Sequence, residues 1–246
     1  MYSQNNEDSK ISEIFSDIGF TNKTFVEFGF HHHENNSRSL IENHNFSGLF
    51  IDQKIPLEGR LSNIKYHECW ITRENIDQII SNYYQGSIDF LSIDVDGVDL
   101  YLWDSINCIR PRVVCIEYCA SIGSDKSVTV KYSDSFDRHK EHPSGFYCNA
   151  SLQATINIGK KKGYNFVGSV AGLNAFFVRD DIALGNVKTI TCKEGWEPHR
   201  SRTFQSAPRW DGTFRAVPQE EQYSWISNLE WVNVSEGGII QDTSGE

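Results

Sequence analysis

The sequence has no CxxC pair and no dense cysteine framework; its six cysteines stand apart at 69, 108, 115, 119, 148 and 192. That spacing argues against zinc and disulfide scaffolds and for reduced thiols, with Cys115 and Cys119 as small buried hydrophobes flanking Glu117. Positive charge is also scarce, leaving a net charge of −10. Proteins that grip a phosphate backbone show a basic face, so nucleic acid is not an expected partner. A small anionic substrate stays compatible, because one local Arg or Lys cluster can hold it. No apolar run reaches membrane-spanning length, and none is expected to cross a bilayer. The opening MYSQNNEDSK is polar and acidic rather than signal-like, which points to the cytoplasm. There is no internal repeat and no low-complexity segment. The 246 residues suffice for one large domain. We expect residues 1–190 to form it and 191–246 to be a tail packed on it.

Within those limits, apolar stretches alternate with helical patterns. Ile11, Ile14, Phe15 and Ile18 recur at helical spacing over residues 7–18. TFVEFGF (24–30), GLFID (48–52), IKYHECW (64–70), DFLSIDV (89–95) and RVVCIEY (112–118) read as strands. Helical patterns fall between them, in NNSRSLIENHNF, RENIDQIISNYY (73–84) and LYLWDSI (100–106), and SLQATINIGKKKGY (151–164) is a later one. Strands so uniformly apolar suit a parallel sheet covered on both faces. The alternation predicts a doubly wound α/β fold, mostly parallel, with an antiparallel hairpin at 165–179. Residues 119–146 and the tryptophan-bearing tail show no periodicity. Arg110, Arg112 and Lys160 to Lys162 read as solvated faces.

Ligands of doubly wound sheets bind at the carboxyl ends of the strands. There the sequence places Glu27 and Gly29, Asp52, Asp94 and Asp96, and Glu117. Asp52 lies 25 residues after Glu27, close to the roughly 20 expected between a first turn and a ribose-binding carboxylate. The first turn, EFGFHHHENN, has one glycine, too few for a pyrophosphate cradle, and it offers an acid instead. A phosphate-free, positively charged nucleoside such as S-adenosylmethionine fits better than a dinucleotide.

YSQNNED, FVEFGF with ENNS, GLFID, DFLSIDVDGVDLYLW, PRVVCIEY, NASL and GYNFVG with GLNAFFVRDD follow in this order over residues 2–182. In them the chain resembles the FkbM-like S-adenosylmethionine-dependent methyltransferases. The resemblance implies a class I methyltransferase (Rossmann-like) fold and O-methylation of a hydroxyl on a sugar, a glycan precursor or a related small metabolite, in polysaccharide or secondary-metabolite biosynthesis. It makes Glu27 and Gly29 the first cofactor loop, Asn36 its far side and Asp52 the ribose clasp. His31 to His33 replace the small residues usual there, and we expect them to line the cofactor mouth.

Asp94, Asp96 and Asp99 form D-x-D-G-x-D. A calcium loop would need a preceding helix and a later bidentate Glu, and neither is present. Two uses remain open besides capping of the following helix by Asp96 and Asp99. One is a DxD metal site of a glycosyltransferase. The other is a methyltransferase site in which Asp94 faces donor and acceptor, and Asp94, Asp96 and Glu117 hold Mg2+ or another divalent ion that acidifies the acceptor hydroxyl. Sugar methyltransferases with a comparable acidic stretch bind magnesium, in line with the resemblance. His139 and His142 are further candidates for the general base. Asn149 with Ser151 precedes a helix and suits capping first and substrate contact second, and Asn174 suits either turn chemistry or ligand contact. A non-catalytic nucleoside-binding module and a homo-oligomer both stay open at this level.

Overall fold

The computed structural model describes residues 3–30 and 35–240. Seven strands form one sheet: β1 (Thr24–Phe28), β2 (Ser47–Asp52), β3 (Ile64–Glu68), β4 (Gly86–Ile93), β5 (Ile109–Glu117), and, after the short β6 (Val128–Val130) that lies outside it, β7 (Tyr164–Val170) and β8 (Asn174–Arg179). The order is β3-β2-β1-β4-β5-β8-β7. Five strands run parallel, and β8 lies antiparallel to both β5 and β7. This is the doubly wound, mostly parallel sheet with an antiparallel hairpin expected for a class I methyltransferase fold.

The uniform apolarity of the strands follows from two covered faces. Side chains alternate across a strand. Val26 and Phe28 therefore join one core with Leu49, Leu91, Ile93 and Val114, under α3 (Ile76–Ser81), α4 (Asp99–Ser105) and α6 (Leu152–Lys161). Phe25 joins the other core with Phe50, Phe90, Val113 and Phe176, under α1 (Glu7–Ile18) and α2 (Arg38–His44). No helix among the described residues is long and apolar enough to cross a membrane.

Two expectations need correction. The run 119–146 is not structureless: it carries a turn of 3-10 helix at Ala120–Ile122, strand β6 and the four-residue α5 (Arg138–Glu141). The tail holds it in place, since residues 231–235 pair antiparallel with β6. The helix Gln219–Ile226 is tied to the 3-10 turn, with Gln219 donating to the Ala120 carbonyl and Ser121 to Gln222. Strand partners about a hundred residues apart leave no local periodicity. Arg112 is the second correction. It is buried rather than solvated, and donates to Asp89 at 3.0 Å and to the carbonyls of Ile18 and Gly19.

Candidate functional site

Two cavities open along the carboxyl ends of β1, β2, β4 and β5. The first, about 430 Å³, lies over β1, β2 and β4. Asp52, Asp94, Asp96 and Asp134 bring four carboxylates to its wall, beside Phe30, Trp70, Ile71, Val98 and Phe136. Among the described residues that line it, none is Lys or Arg. The second, about 700 Å³, is more polar, with Glu27, Asp94, Glu117, Asn174, Arg138 and Arg202 in its wall. Gly29, Phe30, Asp94 and Asp96 border both.

The backbone explains why the cavities meet there. Gly29 has φ +72, and a Cβ on it would stand 1.3 Å from the Asp94 carbonyl oxygen. Only glycine lets the turn after β1 cross so close to the turn after β4. Asp96 takes φ +61, which turns the chain before α4. Asp99 is fully buried and accepts from the amides of Val95 and Gly97 at 3.0 and 3.1 Å. It therefore stabilises the 94–99 turn from inside. Asp96 points outward, 2.5 Å from Arg138 Nη1.

The acids differ in what satisfies them. Glu27 accepts the amides of Asn36 and Ser37 at 2.9 and 2.8 Å, so it orders the far side of the first loop as well as lining the second cavity. Burial still outweighs those bonds and pushes its carboxyl up to about 7. Asp94 is open to the cavities but walled by protein elsewhere. Burial first, then the charge of Glu117, Asp99 and Asp96, lifts it well above the usual carboxylate range. Glu117 is lifted likewise, by burial and then by Cys148, Asp96 and Asp99. Asn149, in the left-handed region at φ +56, donates its side-chain amide to Glu117 and fixes that carboxylate. Its own Oδ1 is buried with no partner among the described residues. Half-buried Asp52 is raised by burial and receives the Lys54 amide.

Carboxylate oxygens of Asp94, Asp96 and Glu117 all come within 4.8 Å of one another. An all-oxygen set of that kind fits Mg2+ or Mn2+. Asp94 and Glu117 are held toward their protonated forms by burial first and then by neighbouring negative charge, and a divalent ion between them would relieve both. The lining of the first cavity, acidic with Phe30, Trp70, Ile71, Val95, Val98 and Phe136 as its apolar part, would suit a cationic nucleoside.

Asp94, Asp96 and Glu117 thus stand together, with Glu27, Gly29 and Asn36 beside them and Asp52 further along the first cavity. His139 and His142 line neither cavity. His139 is exposed and packs against Gly145, while His142 Nδ1 sits 2.7 Å from Ser144 Oγ with its ring edge on Trp210. His31 to His33 lie outside the described residues. Ser151, not Asn149, caps α6. The sequence reading missed Glu7, which accepts from Asn174 at 3.1 Å, and it missed Arg138, His199 and Arg202. The last two come from the tail, where nothing local marks them.

No protein-family model and no curated protein sequence matches the chain. Solved structures do match. An O-methyltransferase family protein from Burkholderia thailandensis is 9% identical, with 70% of this chain and 58% of that one covered and a TM-score of 0.40. The N-terminal domain of EvdMO1, in the presence of SAH and D-fucose, is 12% identical over 72% of this chain and 83% of its own, with a TM-score of 0.44. MycE methyltransferase from the mycinamycin biosynthetic pathway, in complex with Mg, SAH and mycinamycin VI, is 16% identical over 77% of this chain and 51% of its own, at a TM-score of 0.43. The chain spans little more than half of the first and third. At such scores the fold assignment rests on strand order and direction alone.

Proposed function

We propose that this chain is an S-adenosylmethionine-dependent O-methyltransferase of the FkbM-like kind, acting on a hydroxyl of a sugar, a glycan precursor or a related small metabolite. The supporting observation is the first cavity, lined by four aspartates, of which only Asp96 is paired with an arginine, and, among the described residues, by no basic side chain. That lining attracts a sulfonium nucleoside and repels a nucleotide diphosphate. It therefore also weighs against a DxD glycosyltransferase.

In this reading Asp52 would hold the ribose hydroxyls, and Phe30, Trp70 and Ile71 would supply the apolar wall for the base. Glu27, Gly29 and Asn36 shape the methionine end. When bound, S-adenosylmethionine supplies an electrophilic methyl group on a positively charged sulfur. Asp94 stands where the two cavities join, so a donor with its nucleoside in the first would reach past Asp94 toward an acceptor held in the second. One of Asp94 and Glu117, in its ionised form and made more basic by burial, would take the hydroxyl proton directly, or with Asp96 they would hold a divalent ion that would acidify the hydroxyl. Asn149 keeps Glu117 in one orientation.

Calorimetric titration of S-adenosylhomocysteine, with magnesium and then with a chelator, tests the reading. Binding under both conditions is expected, with any metal confined to the acceptor side. Absence of binding in both would overturn it, and nucleotide sugars would be the next ligands.

A further inference from the structure

The second cavity draws its acids from the strand ends and α1, but its cations from elsewhere: Arg138 from the segment after β6, and Arg202 from the tail. Arg202 is only 8% exposed. Its Nη1 donates to Ser121 Oγ at 3.1 Å, its Nη2 to Cys148 Sγ at 4.0 Å, and its guanidinium lies 4.7 Å over the Phe146 ring. Those contacts use two of the five N–H donors a guanidinium carries. Among the described residues no carboxylate lies within 4.0 Å of it. Arg112, buried to a similar degree, has Asp89 at 3.0 Å. Glu117 and the thiols of Cys119 and Cys148 favour its charge from nearby, but a buried guanidinium with no carboxylate in contact stays costly unless something else supplies negative charge.

His199, three residues earlier, lines the same cavity. Its Nδ1 accepts the Arg202 amide at 3.4 Å and lies 3.2 Å from Ser201 Oγ. A ring nitrogen that accepts is unprotonated, so the neutral ring carries its proton on Nε2 as a donor. Ser201 and Gln205 complete the tail's share of the wall.

We infer that the acceptor carries an anionic group, carboxylate or phosphate, beside the hydroxyl to be methylated, and that Arg202 and the Nε2–H of His199 bind that group. The inference deepens the methyltransferase reading and rests on it for the word acceptor; the anion site itself does not. Charge also sets orientation. The cations draw the anion to the tail side, which leaves the neutral hydroxyl to face Asp94 and Glu117.

The test is calorimetry on the full chain, with and without saturating S-adenosylhomocysteine, using inorganic phosphate, D-glucuronate and, as neutral control, D-glucose. One anion should bind saturably and glucose far more weakly, and the anion that binds distinguishes phosphate from carboxylate. Arg202→Gln should weaken that anion by about tenfold or more while leaving S-adenosylhomocysteine affinity unchanged. Should Arg202→Gln fail to fold, Arg202→Lys keeps the charge without the fork, and an intermediate loss is expected. A purely structural Arg202 would lower thermal stability without altering the preference for anion over glucose. Failure of both anions to bind, or binding that survives Arg202→Gln undiminished, would overturn the inference. Anion binding without any S-adenosylhomocysteine binding would instead sink the methyltransferase reading and leave the anion site standing.

Discussion

Strand β4 carries one acid near its start and is followed by another just past its end, and the two live in opposite environments. Asp89 is fully buried, yet it accepts from Arg112 at 3.0 Å, from the Thr21 hydroxyl at 2.7 Å, and from the amides of Thr21 and Lys23. Burial raises its pKa, but those donors win and hold it below the usual value. Asp94, five residues on, has acids for neighbours and is held well above. Nothing in the residue type separates them. The amino end of the sheet uses a carboxylate as a structural clasp with every lone pair engaged. The carboxyl end keeps a carboxylate short of partners, as a site that awaits a ligand does.

Substitution should split the pair. Asp94→Asn is expected to cut turnover by about 1000-fold, the scale of a lost proton acceptor or metal ligand. The same change removes like-charge repulsion, so its denaturation midpoint should stay level or rise. Asp89→Asn should do the reverse. It strands the Arg112 guanidinium in the core at a cost of about 3–5 kcal/mol, with kcat of the folded fraction unchanged. Urea unfolding and steady-state rates on both variants decide the matter. A fully active Asp94→Asn enzyme would remove Asp94 from the proposed chemistry. A fully stable Asp89→Asn protein would remove the clasp.

The next effect is smaller and concerns pH. Glu27 is lifted from an ordinary 4.5 to about 7. A carboxyl whose folded pKa exceeds its unfolded one favours the fold when protonated. Its contribution is complete below pH ~4.5 and is lost as pH rises through ~7, by on the order of 3 kcal/mol. His199 opposes it. Burial and Arg202 depress that ring to about 3, so its contribution is present above its ordinary 6.5 and lost as pH falls toward 3. The wild-type slope is therefore a difference between raised carboxyls and a depressed imidazole, and Glu27→Gln isolates the Glu27 share of it. Between pH 5 and 7.5 the variant should lose the falling component, measured as unfolding free energy at each pH. An unchanged slope would mean Glu27 is ionised in the fold throughout, held by its two amide bonds.

How much of this was legible beforehand follows the same division. Strands with both faces buried have a local signature, so five parallel strands and a hairpin could be read directly. Acids that end such strands stand out against apolar runs, as Glu27, Asp52, Asp94 and Glu117 do. Whether an acid is satisfied is not local. The Arg112 partner of Asp89 sits 23 residues away, and Arg112 looked solvated for lack of it. Likewise Ser121 Oγ, which receives Arg202, is 81 residues from it, and the strand that holds β6 lies at 231–235. The tail half of the second cavity was invisible because long-range pairing alone orders it.

The smallest expected effect concerns the two histidines, and it sharpens what counts as part of the site. His142 is tied to Ser144 and edges Trp210, and burial lowers its pKa from 6.5. His139 lies exposed over Gly145. Neither touches the walls that Asp94 and Glu117 share. With two carboxylates already biased toward accepting a proton there, an imidazole is not needed. His142→Ala and His139→Ala should each change kcat by less than about twofold, against the ~100-fold or more that loss of a general base brings. A loss on that larger scale in either variant would mean that residues 119–146 carry the imidazole to the acceptor during turnover. The acids would then serve to hold the ion or the hydroxyl and not to take its proton.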